Sequence, residues 1–257
     1  MTFERIERNG IVYYQAAMDG FRCAFSTRIG GVSRGVCESL NLGWTKKDDR
    51  ENVARNRAMF SEAAGFENPK LLRQVHGARV IDVPSEEEPD IQEADALVTA
   101  AASRPLAVLT ADCVPVALWD QRAGCAGVAH AGRLGTVRSV AVAALKKMAD
   151  RHGSNPSDVR AFIGPGIGPD AYEVGEDALE EVRSNVPDWR NFTAPLGGGK
   201  TLLDLWGMNQ SALERAGVPS DQVFTLDLCT KGNPKEFFSY RRDGPGVGRM
   251  MSVVWML

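Results

Sequence analysis

The side chains best suited to chemistry stand at the tips of apolar runs. His76 precedes a glycine in LLRQVHG, Cys113 ends LAVLTADC, and His130 ends GCAGVAH. A sheet that delivers polar side chains to a site at its edge produces this pattern. One thiol and two imidazoles form a borderline-soft donor set that suits Zn²⁺. Three protein donors leave the fourth tetrahedral position for water or substrate, as in catalytic zinc sites. Copper(I) accepts the same donors. Positions 76, 113 and 130 make no CxxC or HExxH motif, so residue types rather than intervals carry this expectation. Structural roles stay open beside it: a hydrogen-bonded histidine at a strand end, and a small buried thiol. The third of the three histidines, His152 in RHGS, ends a helix-type segment, where a cation is favoured by the helix dipole. Asp112 adjoins Cys113, but alternation along a strand sends neighbouring side chains to opposite faces, which leaves a general acid or base unnamed.

Two further segments could hold an anion. Residues 25–43, FSTRIGGVSRGVCESLNLG, contain glycines, Gly31 among them, that let backbone amides turn toward a ligand. Arg28 adds a planar charged fork, and Ser33 and Asn41 add hydrogen-bonding groups. An ornate surface loop is the plainer reading of the same composition. In FFSYRRDGPGVGRM, Arg241 and Arg242 precede a turn, where they can meet a phosphate or pair with acids. FIGPGIGPDAYEVG, 162–175, is a stiff loop that walls a pocket or joins two elements. No phosphate-binding P-loop or dinucleotide fingerprint occurs.

These residues need a scaffold. Strands are expected at VYYQAA, RCAFST, LLRQVHGARVIDV, LAVLTADCVPVALWD, GCAGVAH, VRAFIG, QVFTLDLC, EFFSYRR and RMMSVVWML. Helices are expected at 48–64, 135–151, 175–185 and 201–216, the first with two aspartates at its start. PSEEEPD at 84–90 reads as a charged loop and APLGGGK at 194–200 as a glycine-rich turn. Strands and helices intersperse without strict alternation, which argues for a mixed α/β domain rather than a doubly wound sheet.

Composition narrows the class. The 257 residues are 44% hydrophobic and 25% charged, enough for a sizeable core in one domain spanning 1–257. A formal net charge of −3 with scattered Lys and Arg gives no footprint for nucleic acid or an anionic membrane. No signal-type or membrane-length apolar run occurs, and five widely spaced cysteines suit reduced thiols, so a soluble cytoplasmic protein is expected.

Taken together, FSTRIGGVSRGVCESLNLG, NVARNR, QVHG, ADALVT, LTADCVPV, VAHAGRLGT, IGPGIGP, YEVG and FFSYRRDG resemble the laccase-domain family, in its order and over nearly the whole chain. That family is described as polyphenol oxidase or purine nucleoside phosphorylase. The resemblance implies a single mixed α/β domain with layered sheets and a zinc site made by His76, Cys113 and His130. His130 would then meet the metal from its strand tip, with a helix after it turning its N-terminal amides toward the same place. One departure stands out. The family usually reads HAGWRGT where this chain reads HAGRLGT, so Arg133 occupies the tryptophan position and Leu134 the arginine position. A guanidinium is retained one residue away, and Arg133 becomes a candidate substrate contact.

The resemblance further implies phosphorolysis of adenosine, inosine, guanosine and methylthioadenosine, with adenosine deaminase activity besides. Nucleoside and phosphate are the implied partners. Three other readings are carried. Copper-dependent phenol oxidation is the older family description, but a multicopper enzyme needs several more histidines than three. A cysteine hydrolase that edits peptidoglycan precursors would use Cys113 as nucleophile beside a histidine. A non-enzymatic, zinc-stabilised interaction module would call for a fourth protein ligand.

Overall fold

A computed structural model describes residues 3–84, 92–102 and 104–257. The strands are β1 (Glu4–Arg8), β2 (Ile11–Met18), β3 (Phe21–Ser26), β4 (Val80–Asp82), β5 (Ala96–Thr99), β6 (Leu106–Thr110), β7 (Val114–Asp120), β8 (Cys125–Ala131), β9 (Val159–Ile163), β10 (Glu173–Val174), β11 (Thr193–Gly197), β12 (Lys200–Leu203), β13 (Val223–Thr225) and β14 (Met250–Met256). The helices are α1 (Arg50–Ala64), α2 (Arg133–Val137), α3 (Val140–His152), α4 (Glu176–Asn185), α5 (Leu205–Arg215) and α6 (Tyr240–Asp243).

Strand alternation builds the layers. In β14, Met251, Val253 and Trp255 face one way, packing with Ile11, Tyr13 and Phe60 of α1. Val254 and Met256 face the other way, against Phe21, Val128 and Phe162. In β8, Ala126 and Val128 join that central layer, while Cys125, Ala129 and Ala131 pack with Val140, Ala144 and Met148 of α3. The result is α1, a first sheet, a second sheet, and then α3 with α5. His130 shares the parity of Ala126 and Val128, so it enters from the face between the sheets.

The first sheet is antiparallel in the order β1-β2-β3-β14-β6. The second is mixed, in the order β13-β9-β7-β8-β5-β4, with parallel pairs at both ends. A small third sheet, β10-β12-β11, flanks them. The mixed α/β class is as the sequence implies.

Several elements differ from the sequence expectation. LAVLTADCVPVALWD is two strands in two sheets, joined at Ala111–Cys113. Of LLRQVHGARVIDV only Val80–Asp82 is a strand, because the amides of Val75, His76 and Gly77 bond to the Asp95 side chain instead of a neighbouring strand. The helix expected at 135–151 is broken into α2 and α3 at Ser139, whose φ is +56°. The helix expected at 201–216 begins as β12 and turns helical after Asp204, whose side chain accepts from Gly207 N at 2.9 Å. EFFSYRR forms no strand; it leads into α6, capped by Ser239. APLGGGK closes the β11–β12 hairpin. The charged stretch PSEEEPD lies outside the described residues from Ser85 onward. Among the described residues no helix is long and apolar enough to cross a membrane.

Candidate metal centre and its pocket

Three segments bring the donors together. His76 sits on the loop before β4, Cys113 at the joint between the first and second sheets, and His130 near the end of β8. Their donor atoms all lie within 4.8 Å of one another, and the imidazole rings are 4.8 Å apart at 65°. His130 is buried, Cys113 half-buried and His76 exposed, so the cluster is closed on one side and open on the other. Burial pushes the Cys113 thiol up, yet the neighbouring His130 and His76 outweigh it and bring it down to about 6. Burial likewise disfavours charge on His130, but the Cys113 sulfur and Asp95 raise it to about 9. A thiolate facing two imidazoles is the donor set of a three-ligand zinc or copper(I) site, so these residues fit a soft divalent or cuprous ion.

Asp95 orders both histidines. Its carboxylate, wholly buried, accepts from Val75 N (3.3 Å), His76 N (3.0 Å) and Gly77 N (2.7 Å), and it lies 2.9 Å from His130 Nδ1. Those bonds hold Asp95 below the usual carboxylate range despite its burial. Bonded through Nδ1, His130 keeps Nε2 for the cluster. The bonds from these three amides to Asp95 accompany a φ of +58° at His76, uncommon for a residue other than glycine.

Gly132 explains the glycine after His130. A Cβ there would stand 2.8 Å from Cys113 Sγ and 2.9 Å from His76 Nδ1. Only a residue without a side chain lets the backbone pass this close under the donors. The expected helix N-terminus follows as α2, which has only five residues.

The cluster opens into a pocket of about 680 Å³, whose wall includes Trp44, Gln74, Tyr172, Tyr240, Arg241 and Arg249. Asp112 belongs to its frame. The carboxylate accepts from Thr230 Oγ1 and from Arg241 N, both at 2.6 Å, tying the joint to α6. Arg241 donates to Glu173 O at 2.6 Å and lies over the Tyr172 ring. Arg249 donates Nη1 to the carbonyls of Val247 and Gly248. Arg242 is engaged away from the pocket wall by Asp243 and the carbonyls of Thr230, Lys231 and Phe237.

The other residues singled out in the sequence lie elsewhere. Arg28 donates to Glu38 O (2.7 Å) and Pro234 O (3.1 Å) and sits 4.5 Å over the Phe238 ring. Gly31 is hemmed in by Ser39 O, 2.3 Å from where its Cβ would be. Ser33 donates to Asp48 at 2.6 Å. Asn41, fully buried, donates to Asp48 and accepts from Gly43 N and Arg249 N. Arg133 pairs with Glu181 of α4. None of Arg28, Gly31, Asn41 and Arg133 lines the pocket. His152 is held by Asp82 at 2.9 Å, in a structural position. Sequence reading missed Asp95 and Arg249. An aspartate directly before the apolar ALVT was the available signal for the first; Arg249 had none beyond its turn.

Known proteins corroborate the fold. Residues 22–257 match the family model described as multi-copper polyphenol oxidoreductase laccase. A purine nucleoside phosphorylase of Deinococcus radiodurans is 40% identical over 90% of this chain and 87% of its own length. The purine nucleoside phosphorylase YfiH of Escherichia coli is 37% identical over 93% and 95%. The crystal structure of YlmD from Geobacillus stearothermophilus superposes with a TM-score of 0.91 at 32% identity, covering 99% of this chain and 98% of that one. A Bacillus licheniformis hypothetical protein YfiH gives 0.92 at 29% identity, covering 99% of each chain. By sequence and by architecture, the chain belongs to the laccase-domain family.

Proposed function

We propose that residues 1–257 act as one domain, a metal-dependent purine nucleoside phosphorylase, with zinc held by His76, Cys113 and His130. The observation that carries this reading is the open His–Cys–His cluster at a pocket walled by two arginines. Relatives at 37–40% identity named purine nucleoside phosphorylase support the choice of reaction.

Phosphorolysis needs phosphate beside the sugar and stabilisation of charge as the glycosidic bond loosens. Arg249 and Arg241 are the cations in the pocket wall and supply the anion's side of the site. Arg28, Gly31 and Asn41 serve substrate binding from behind, by fixing the loop that ends at the pocket rim. Bound zinc would polarise a substrate oxygen or activate water as a Lewis acid. Asp95 keeps His130 presenting Nε2, and Gly132 keeps the cluster clear of side-chain atoms. The same donors support adenosine deamination as a second activity. Five unpaired cysteines fit a reducing, cytoplasmic setting.

The copper oxidase description fits this chain less well. His152 is committed to Asp82, which leaves two histidines for all copper chemistry. The thiol's closeness to His130 favours a cysteine hydrolase as the second reading.

Phosphate-dependent release of free base from inosine and adenosine, followed with metal analysis of the same preparation, tests the proposal. Base release that requires both phosphate and bound zinc is expected. Base release absent in the zinc-loaded protein would overturn the phosphorylase reading, and hydrolysis by metal-free protein that Cys113→Ala abolishes would establish the hydrolase.

A further inference from the structure

The pocket is polar at its donor cluster and aromatic at its rim. Trp44 is 55% exposed and lines the pocket, as does Tyr240. Of the five tryptophans, Trp119, Trp206 and Trp255 are buried, and Trp189 lies beneath Arg183 and Arg190. Trp44 therefore presents more indole to solvent than core packing explains, and it does so at the pocket mouth.

Its position is fixed from three directions. Leu42 N donates to Arg249 O at 3.0 Å, and the Asn41 side-chain oxygen accepts from both Gly43 N (3.1 Å) and Arg249 N (2.9 Å). Gly43 makes this contact feasible: a Cβ there would stand 2.7 Å from Arg249 Cβ and Cγ. From behind, Arg57 donates Nε to Leu42 O at 2.8 Å and places its guanidinium 4.8 Å from the centre of the Trp44 ring. An exposed indole braced on one side by a planar cation is a preorganised flat surface.

We infer that Trp44 is the platform on which the purine base stacks, its face away from Arg57 turned to the ligand. The choice of a purine rests on the phosphorylase reading; the platform itself rests on the geometry of Trp44, Gly43 and Arg57. Base at the rim directs the sugar inward, toward His76, Cys113 and His130. Stacking tolerates any base with a π-face. A site that relies on it accepts adenine, hypoxanthine and guanine alike, without hydrogen-bond selection at the base edge.

Equilibrium binding of inosine, hypoxanthine and ribose 1-phosphate to wild type, Trp44→Ala and Trp44→Phe, in phosphate-free buffer, tests this. Trp44→Ala is expected to weaken inosine and hypoxanthine by roughly 5- to 150-fold. Trp44→Phe should retain most of the affinity, and ribose 1-phosphate should bind all three proteins equally. Subtracting the Trp44→Phe emission from wild type isolates the indole, whose fluorescence should be quenched by inosine. Unchanged inosine affinity in Trp44→Ala overturns the platform, as does wild type that binds no purine. Phosphorolysis measured alongside separates the two readings. Turnover with an unaltered Trp44→Ala KM sinks the platform alone, whereas purine binding that depends on Trp44 without phosphorolysis sinks the phosphorylase reading alone.

Discussion

The Asp95 carboxylate lies 2.9 Å from His130 Nδ1, and the same group accepts the backbone N–H of His76. One buried side chain therefore orients two of three donors that come from separate segments. Asp95→Ala is expected to weaken zinc binding by about 10- to 100-fold, the usual range when a partner of a ligating histidine is lost. It also leaves the amides of Val75, His76 and Gly77 unpaired, so thermal stability should fall as well. Asp95→Asn keeps an acceptor and should recover stability more than metal affinity. Chelator competition and melting curves on both variants check this; unchanged zinc affinity in Asp95→Ala would remove Asp95 from the site.

Replacing any one of His76, Cys113 or His130 with Ala should lower zinc content and base release together. Elemental analysis of purified variants reads this directly. Full occupancy in Cys113→Ala would sink the assignment of the thiol as a ligand.

Gly132→Ala places a methyl group 2.8 Å from Cys113 Sγ. Its backbone φ of −70° is open to alanine, so the effect is steric rather than conformational. Overpacking of this kind costs about 1–3 kcal/mol. The expected outcome is a folded protein, by circular dichroism, with markedly reduced zinc. Normal zinc content would mean the donors have room that the structure denies them.

Arg133 and Arg249 should behave differently. Arg133 is paired with Glu181 outside the pocket wall, and exposed or half-exposed ion pairs contribute at most about 1 kcal/mol. Arg133→Ala is therefore expected to leave kcat/KM within about fivefold of wild type. Arg249→Ala should raise the phosphate KM by roughly 10- to 150-fold, the worth of one charge-assisted hydrogen bond. The reverse ranking in steady-state kinetics would return the substrate contact to Arg133, which the HAGRLGT departure made a candidate.

Arg28 donates to two carbonyls and covers the Phe238 ring, contacts that bind residues 25–43 to the segment before α6. Arg28→Ala should cost about 1–3 kcal/mol of stability and change the phosphate KM only modestly. A large rise in KM with an unchanged melting temperature would make Arg28 a direct ligand.

Much of the scaffold was legible because its signals are local. β8, β9 and β14 are apolar runs of strand length, and α1 and α4 are helical segments with acidic starts. What could not be read locally was competition for the backbone. Asp95 draws in the amides of Val75, His76 and Gly77, which would otherwise have joined a ladder, so the chain around His76 is a loop rather than a strand. Likewise, nothing in LAVLTADCVPVALWD reveals that its halves serve two sheets, because the turn at Asp112 is stabilised by Thr230 and Arg241, more than a hundred residues away. The donors were visible by type. The pocket wall was not, since Trp44, Tyr172 and Arg249 meet only through long-range packing.

The place of β14 in the first sheet has a kinetic consequence. The strand from residues 250–256 lies between those from 21–26 and 106–110, so the sheet stays in two pieces until it inserts. Such pairing across the length of the chain is slow to form. The same insertion carries Arg249 against Gly43 and completes the rim beside Trp44. The rim proposed to receive the base therefore depends on this slow, long-range pairing, and a chain interrupted before residue 250 is expected to carry His76, Cys113 and His130 without that rim completed.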